Sequence, residues 1–455
     1  MSKSKFLFLI NILFTLVTYS QNDMNMNHSG QDTLKTDSSK MDSMEHVKMN
    51  SSEMNHDHKS INMNMPMSMN GAVLLTDDME QEGSGTSWMP ISSDMHMKMY
   101  HSKGWMFMMH GAITLRYTKQ GGPRGADAIS APNWFMASAQ TRLSKNTQIM
   151  FRTMLSLDRL TDGGNGYPLL FQTGETWNGK PLIDRQHPHD IFAELSTSFS
   201  AQITKSLSGH LYFGYPGEPA LGPNVFMHRS SALSNPDATL SHHWQDATHI
   251  TFGVATAGLA FKNIKLDGSV FNGTEPDENR FNFDKMKFNS YSGRISYNPI
   301  DDISLQVSAG FVKNPESDGT DVIRRTASLL YAREINSKSR IDVSLIWGQN
   351  KDGVAGAQNS FIEEAEYYIS GNSIYTRIEN VEKTRHELGI EDRGADKEFV
   401  GAYTLGYKRK LFNFAGLDLN AGLQGTIYSV PSDIQSYYGK SPVSYQVYLS
   451  VIPGR

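Results

Sequence analysis

Thioethers and imidazoles crowd the first quarter of this chain. Of its 24 methionines, 18 fall between positions 21 and 110. Met24, Met26, Met54, Met63, Met65, Met67 and Met69 are interleaved with His28, His56 and His58. A second run, Met95-His96-Met97-Lys98-Met99-Tyr100-His101, follows. Thioether sulfur is a soft ligand suited to Cu(I), and imidazole accepts copper in either oxidation state. No Val-Ile-Leu periodicity accompanies these methionines, so core filling does not explain them. Residues 24–69 therefore read as a copper-binding tail. In an extended second run, Met95, Met97, Met99 and His101 would share one face. With His96 they would extend the copper ligands toward the mouth of whatever follows.

A second constellation lies much further along. Gln186-His187-Pro188-His189-Asp190 is one part, and His242-His243-Trp244-Gln245-Asp246-Ala247-Thr248-His249 is the other. Pro188 drives His187 toward an extended backbone, which allows His187 and His189 to stand side by side. If 242–249 is helical, His242, Asp246 and His249 share a face at i, i+4 and i+7. Neutral imidazoles with a carboxylate suit Zn(II), Cu(II) or Ni(II). A second metal site built from His187, His189, His242, Asp246 and His249 is the chemical reading. A hydrogen-bonded network pinning long loops, with the aspartates orienting the histidines, is the other. Glu175, Asp184, Arg185 and Glu218 sit near turn motifs, and nothing in their spacing sets a catalytic pair. No serine, histidine and oxyanion-hole arrangement is legible either. The chain is not expected to be an enzyme; an enzyme with a histidine-based site in the outer loops is the weaker alternative.

The elements that must carry these residues follow from patterning. Residues 1–20 join a basic start to an apolar run from Phe6 to Val17 and read as a secretory signal peptide. The chain has no cysteine, so no disulfide framework and no thiolate ligand exist. Residues 21–103 form a tail and linker. From 21 to about 87 it is too polar to bury a core, hence disordered without metal, with Gly83-Ser84-Gly85 as a hinge before Trp88. The 95–101 run reads as a plug or an edge-docking segment at the barrel entrance. From residue 104 to 455 the period becomes two. Phe107, Met109, Gly111, Ile113 and Leu115 alternate with Met108, His110, Ala112 and Thr114. Leu305, Val307, Phe311, Val343, Leu345, Val447 and Leu449 alternate with Gln306, Ser308, Asp342, Ser344, Gln446 and Ser450. An apolar outward set and a polar inward set, strand after strand, predict an all-β transmembrane antiparallel barrel. Short connections near 144–147, 205–208, 262–263, 298–303, 336–339, 370–372 and 412–416 alternate with long ones. The long ones lie near 118–132, 158–189, 216–248, 273–289, 313–323, 348–358, 384–397 and 430–442. That alternation gives about 16 strands, within a range of roughly 14–18, with short turns in the periplasm and long loops outside. Arg116, Arg152, Glu194 and His210 have lumen parity. Trp105, Tyr117, Trp134, Tyr215, Tyr297, Trp347 and Tyr407 fall near strand ends as interface anchors. Net charge is −5 with no basic stripe, which speaks against a nucleic-acid partner.

This combination resembles the copper-resistance protein B family of Gram-negative bacteria. The resemblance rests on Met24-Asn-Met-Asn-His28, Met54-Asn-His-Asp-His58 and Met63-Asn-Met-Pro-Met-Ser-Met69 ahead of the strands. It implies an outer-membrane barrel with a periplasmic copper-binding tail, serving copper sequestration, export or resistance. Lipid, copper as Cu(I) or Cu(II) and periplasmic copper carriers would be its partners, with Zn(II) an alternative in the outer loops. A general solute channel with an incidental tail is the rival.

Overall fold

The computed structural model describes residues 81–390 and 395–454. The expected signal peptide and the tail ligands Met24, Met26, His28, Met54, His56, His58, Met63, Met65, Met67 and Met69 lie outside them.

Alternating sequence becomes strands throughout. β1 (Lys98–Ser102), β2 (Trp105–Lys119), β3 (Asp127–Ser130), β4 (Asn133–Arg142) and β5 (Thr147–Leu155) come first. β6 (Tyr167–Trp177) and β7 (Lys180–Gln186) pair only with each other. The wall continues through β8 (Phe192–Gln202), β9 (Leu207–Gly214), β10 (Val254–Phe261), β11 (Ile264–Phe271), β12 (Ser290–Ile300) and β13 (Ile303–Val312). It ends with β14 (Val322–Asn336), β15 (Ser339–Lys351), β16 (Ala357–Ile369), β17 (Asn372–Thr384), β18 (Lys397–Phe414), β19 (Leu417–Ser429) and β20 (Val443–Pro453). The large sheet holds 18 strands; setting aside the short β1 and β3, which flank β2, leaves 16. These 16 run antiparallel in chain order, and β20 returns to β2 from Ile113↔Val451 to Lys119↔Tyr445. The barrel is closed, so no strand edge is left unpaired in the ring.

Side chains follow the expected parity. Val307, Leu345, Val447 and Leu449 are exposed on the outer face, and Leu305, Phe311 and Val343 are half-buried there. Gln306, Ser308, Asp342, Ser344, Gln446 and Ser450 are all buried inside. The outward set faces hydrocarbon in a membrane, where no water can solvate a charge. Arginine at Val447 is therefore expected to cost roughly 2–4 kcal/mol of barrel stability. Unfolding from lipid bilayers reads this directly, and an unchanged midpoint would refute the membrane-facing assignment.

The interior differs from a water-filled lumen. Residues 81–90 and the long segment between β9 and β10 run inside the wall and are almost wholly buried. Gly83-Ser84-Gly85 is pinned rather than hinged: Ser84 N donates to Asn224 Oδ1 at 3.0 Å, and Gly85 O accepts from Arg152 Nη2. Residues 98–102, read from the sequence as linker, pair with β2 as the first hairpin. Wall charges meet partners from the inward segment. Arg116 binds Asp237 at 2.6 Å, and Gln424 and Gln446 both donate to that carboxylate at 2.8 Å. Arg152 pairs with Glu194 at 2.9 Å. Arg116, through Asp237, and Arg152, through Gly85 O, thus anchor infolded segments, whereas Glu194 and His210 pair along the wall with Arg152 and Asp267. Ser344 Oγ is likewise 2.6 Å from Ser231 Oγ, so an inward charge at Ser344 or Gln446 would meet protein. Trp134 also turns inward, buried beside Met136 and Met154, because β4 places both residues on its lumen face. It is not an interface anchor.

Candidate metal chamber in the infolded loops

The chamber is assembled from segments that follow β5, β9, β11 and β13. His187 and His189 leave β7 on the extended stretch around Pro188, with ring centroids 6.1 Å apart. The segment 242–249 forms one helical turn, His242–Gln245, then a tighter turn, Ala247–His249. This brings His242 and His249 to 5.0 Å, and His189 and His249 to 5.5 Å. His187 stands 6.2 Å from His242 and 6.0 Å from His243. The two sequence motifs, one in each of two long connections separated by β8 and β9, therefore converge. They line one small space together with Glu175, Asp190, Glu275 and Arg280. Imidazoles sharing a tetrahedral ion through bonds of about 2.0–2.1 Å have ring centres about 5 Å apart. The His242–His249 and His189–His249 pairs come near that spacing, and His187 lies outside it.

Each of these rings has its Nδ1 tied to an acceptor. His189 Nδ1 lies 2.6 Å from Asp158 Oδ2, and His242 Nδ1 lies 2.6 Å from Asp246 Oδ1. His249 Nδ1 contacts Asp246 O at 3.1 Å, and His187 Nδ1 lies 3.2 Å from Glu175 Oε1. Asp158 is itself held, because its Oδ1 accepts from Asn133 N at 2.7 Å. Asp246 Oδ2 accepts from Arg229 at 2.8 Å. Asp246 is thereby spent on orienting His242 and does not line the chamber, so the expected ligand is a positioning group instead. Fixing Nδ1 to an acceptor leaves Nε2 as the ligand nitrogen. The Nε2 atoms of His187, His189, His243 and His249 are buried without any hydrogen-bond partner.

A harder donor set adjoins this one. His243, Glu275 and Glu316 hold ligand atoms all within 4.8 Å of one another, the one such group among the described residues. The neighbouring imidazole nitrogens are spread more widely and would draw together on an ion. Gly174 makes room for this corner: at φ +105°, a Cβ there would lie 2.2 Å from His243 Cε1. Burial pushes His187 and His249 well below the ordinary histidine range, and the neighbouring imidazoles push them further. Burial also dominates at His242 and lowers it against the pull of Asp246. These rings stay neutral, the form that binds metal. Burial acts the same way on His243, but Glu275 and Glu316 outweigh it and raise it to about 10. Without a metal, His243 carries a proton between two carboxylates, and a divalent cation would take that proton's place.

The second N-terminal run ends elsewhere. Met95 packs with Met89 and Leu330, and Met97 and Met99 pack with Met106, Met108 and Met150 near the short-turn end. His101 stands opposite Met106 in the first hairpin, and His96 borders another space inside the wall. None of these five joins the chamber. The expected set omits His243, Glu275, Glu316 and Asp158. Adjacency to His242 was the only signal for His243; Glu275 and Glu316 sit in other loops and carry none.

No family model matches the chain, and no curated protein matches it in sequence. Among solved structures it is similar to Salmonella typhi OmpF in complex with daunomycin. That match has a TM-score of 0.49 at 9% identity and covers 78% of this chain and 100% of the other. It is also similar to an anion-selective porin from Comamonas acidovorans, with a TM-score of 0.48 at 11% identity, covering 76% and 99%. Pseudomonas putida OprB gives a TM-score of 0.46 at 11% identity, covering 77% and 94%.

Proposed function

We propose that this chain is an outer-membrane β-barrel of a Gram-negative bacterium whose narrowed lumen handles transition-metal ions rather than bulk solute. Short turns would lie in the periplasm and long loops outside, the ordinary arrangement of such barrels. The observation that carries the reading is the set of four buried Nε2 atoms without partners, at the rim of one small polar chamber. An unsatisfied buried polar atom costs about 1–3 kcal/mol. Four in one place are hard to reconcile with a purely structural network, and an ion would satisfy them. Imidazole with carboxylate favours Zn(II), Cu(II) or Ni(II). The Met/His-rich segment 24–69 would bind Cu(I) on the periplasmic side and pass copper to the barrel or sequester it.

A general solute channel is the second reading, favoured by the many Ser, Gln, Arg and Glu side chains on the inner wall. Planar-bilayer conductance and metal analysis of the purified full-length protein separate the two. The metal reading expects low conductance and at least one divalent ion per chain that survives dialysis. Large, stable conductance with no retained metal would refute it. The tail makes its own prediction. Deleting residues 24–69 is expected to remove most Cu(I) while leaving the divalent ion and heat-modifiable gel mobility unchanged. Unaltered Cu(I) stoichiometry in that deletion would sink the tail's role.

A further inference from the structure

We propose a second, soft-metal site for Cu(I), or its redox-inert mimic Ag(I), on the inner wall, formed by His110, Met136 and His228 against Trp134. It uses none of the chamber's residues and stands whether or not the chamber binds a divalent ion.

The site begins with strand register. His110 on β2 lies directly opposite Met136 on β4, and both face inward. His110 Nε2 is 3.1 Å from Met136 Sδ. His228, from the infolded segment between β9 and β10, closes over them with its ring 5.1 Å from that of His110. Trp134 completes the cage, its ring 4.9 Å from His110 and 4.8 Å from His228.

Polar atoms here are left over in a way that packing does not require. His228 is 1% exposed, and neither of its ring nitrogens has a hydrogen-bond partner. His110 Nδ1 is buried and unpartnered as well. A phenylalanine would fill the place of His228 without that loss. The donor set also selects the ion. It contains thioether and imidazole and no carboxylate, which suits a soft monovalent cation and offers nothing to balance a divalent charge. An indole face adds cation–π attraction to a desolvated cation.

The surroundings supply more of the same donor. Met154 stands across from Met136 on β5, and both belong to one buried cluster. Met99 and Met108 are register partners nearer the short-turn end, in a cluster with Met150. A space inside the wall is lined by Met95 and His96 as well as by Trp134 and His189. An ion arriving at the short-turn end would therefore meet soft ligands on its way to this site.

The test uses full-length protein in detergent, titrated with Cu(I) under a competing chelator and separately with Ag(I). Residues 24–69 contain no tryptophan, so indole emission does not report the tail. Wild type is expected to bind one equivalent that quenches Trp134. Met136→Leu and His228→Phe, both close in volume, should weaken that equivalent at least tenfold while keeping heat-modifiable mobility. Trp134→Phe should keep the stoichiometry and lose the quench. Zn(II) binding should be unchanged in all three, which separates this site from the chamber. If the folded Met136→Leu/His228→Phe double variant binds and quenches like wild type, the residues are packing only and the proposal falls.

Discussion

Full-length protein carrying His242→Ala is expected to bind Zn(II) or Cu(II) at least 100-fold more weakly than wild type, with the barrel still closed. His242 sits at the centre of the imidazole group, 5.0 Å from His249, 5.4 Å from His243 and 6.2 Å from His187. Removing it takes a ligand nitrogen from the middle of the set and also frees Asp246 to turn away. Asp246→Asn should have a smaller effect of about 10–100-fold, the usual range for a group that orients a ligand. The order His242→Ala worse than Asp246→Asn follows from their geometry, since only the histidine faces the chamber. Isothermal titration against Zn(II) measures both. Equal affinities in wild type and His242→Ala would remove the chamber as a metal site.

Arg229→Met should destabilise the folded barrel by about 3–5 kcal/mol, the cost of stripping a buried ion network of its cation. Arg229 is 1% exposed and donates to Glu364 at 2.8 and 3.0 Å, to Asp246 at 2.8 Å and to Asn224 O at 3.0 Å. Glu364 also accepts from Arg377 at 2.9 Å, so it would keep one cation; Asp246 would keep only His242. Methionine covers the same path through the interior but neutralises nothing. Because Asp246 holds His242, the variant should also weaken divalent metal binding, which couples the infolded segment to the chamber. Denaturant unfolding followed by gel mobility reads the first effect and metal titration the second. Loss of less than about 1 kcal/mol would show that water reaches this network.

Much of the wall was legible in the chain. Period-two alternation reports a sheet with one apolar face, and the alternation of short and long connections reports which end of the barrel each turn occupies. Hydrocarbon tolerates only one of the two faces, so the outward set, from Leu305 to Leu449, can be read from residue type alone. The pairing of His187 with His189 was also legible, because Pro188 constrains the backbone locally, as was the reach of His242 to Asp246 one helical turn away.

What fills the barrel is a different kind of question. Polar inward residues such as Arg116 and Gln446 look the same whether they face water or Asp237. Only the path of the segment between β9 and β10 decides it, and that path depends on many long-range pairings at once. The same holds for His243, which meets Glu316 across 73 residues, and for Trp134, whose closeness to a strand end suggested an interface anchor. Periodicity records which face a side chain takes on its own strand. It carries no record of which loop folds back to meet that face, because that choice belongs to the closed barrel and not to any single segment.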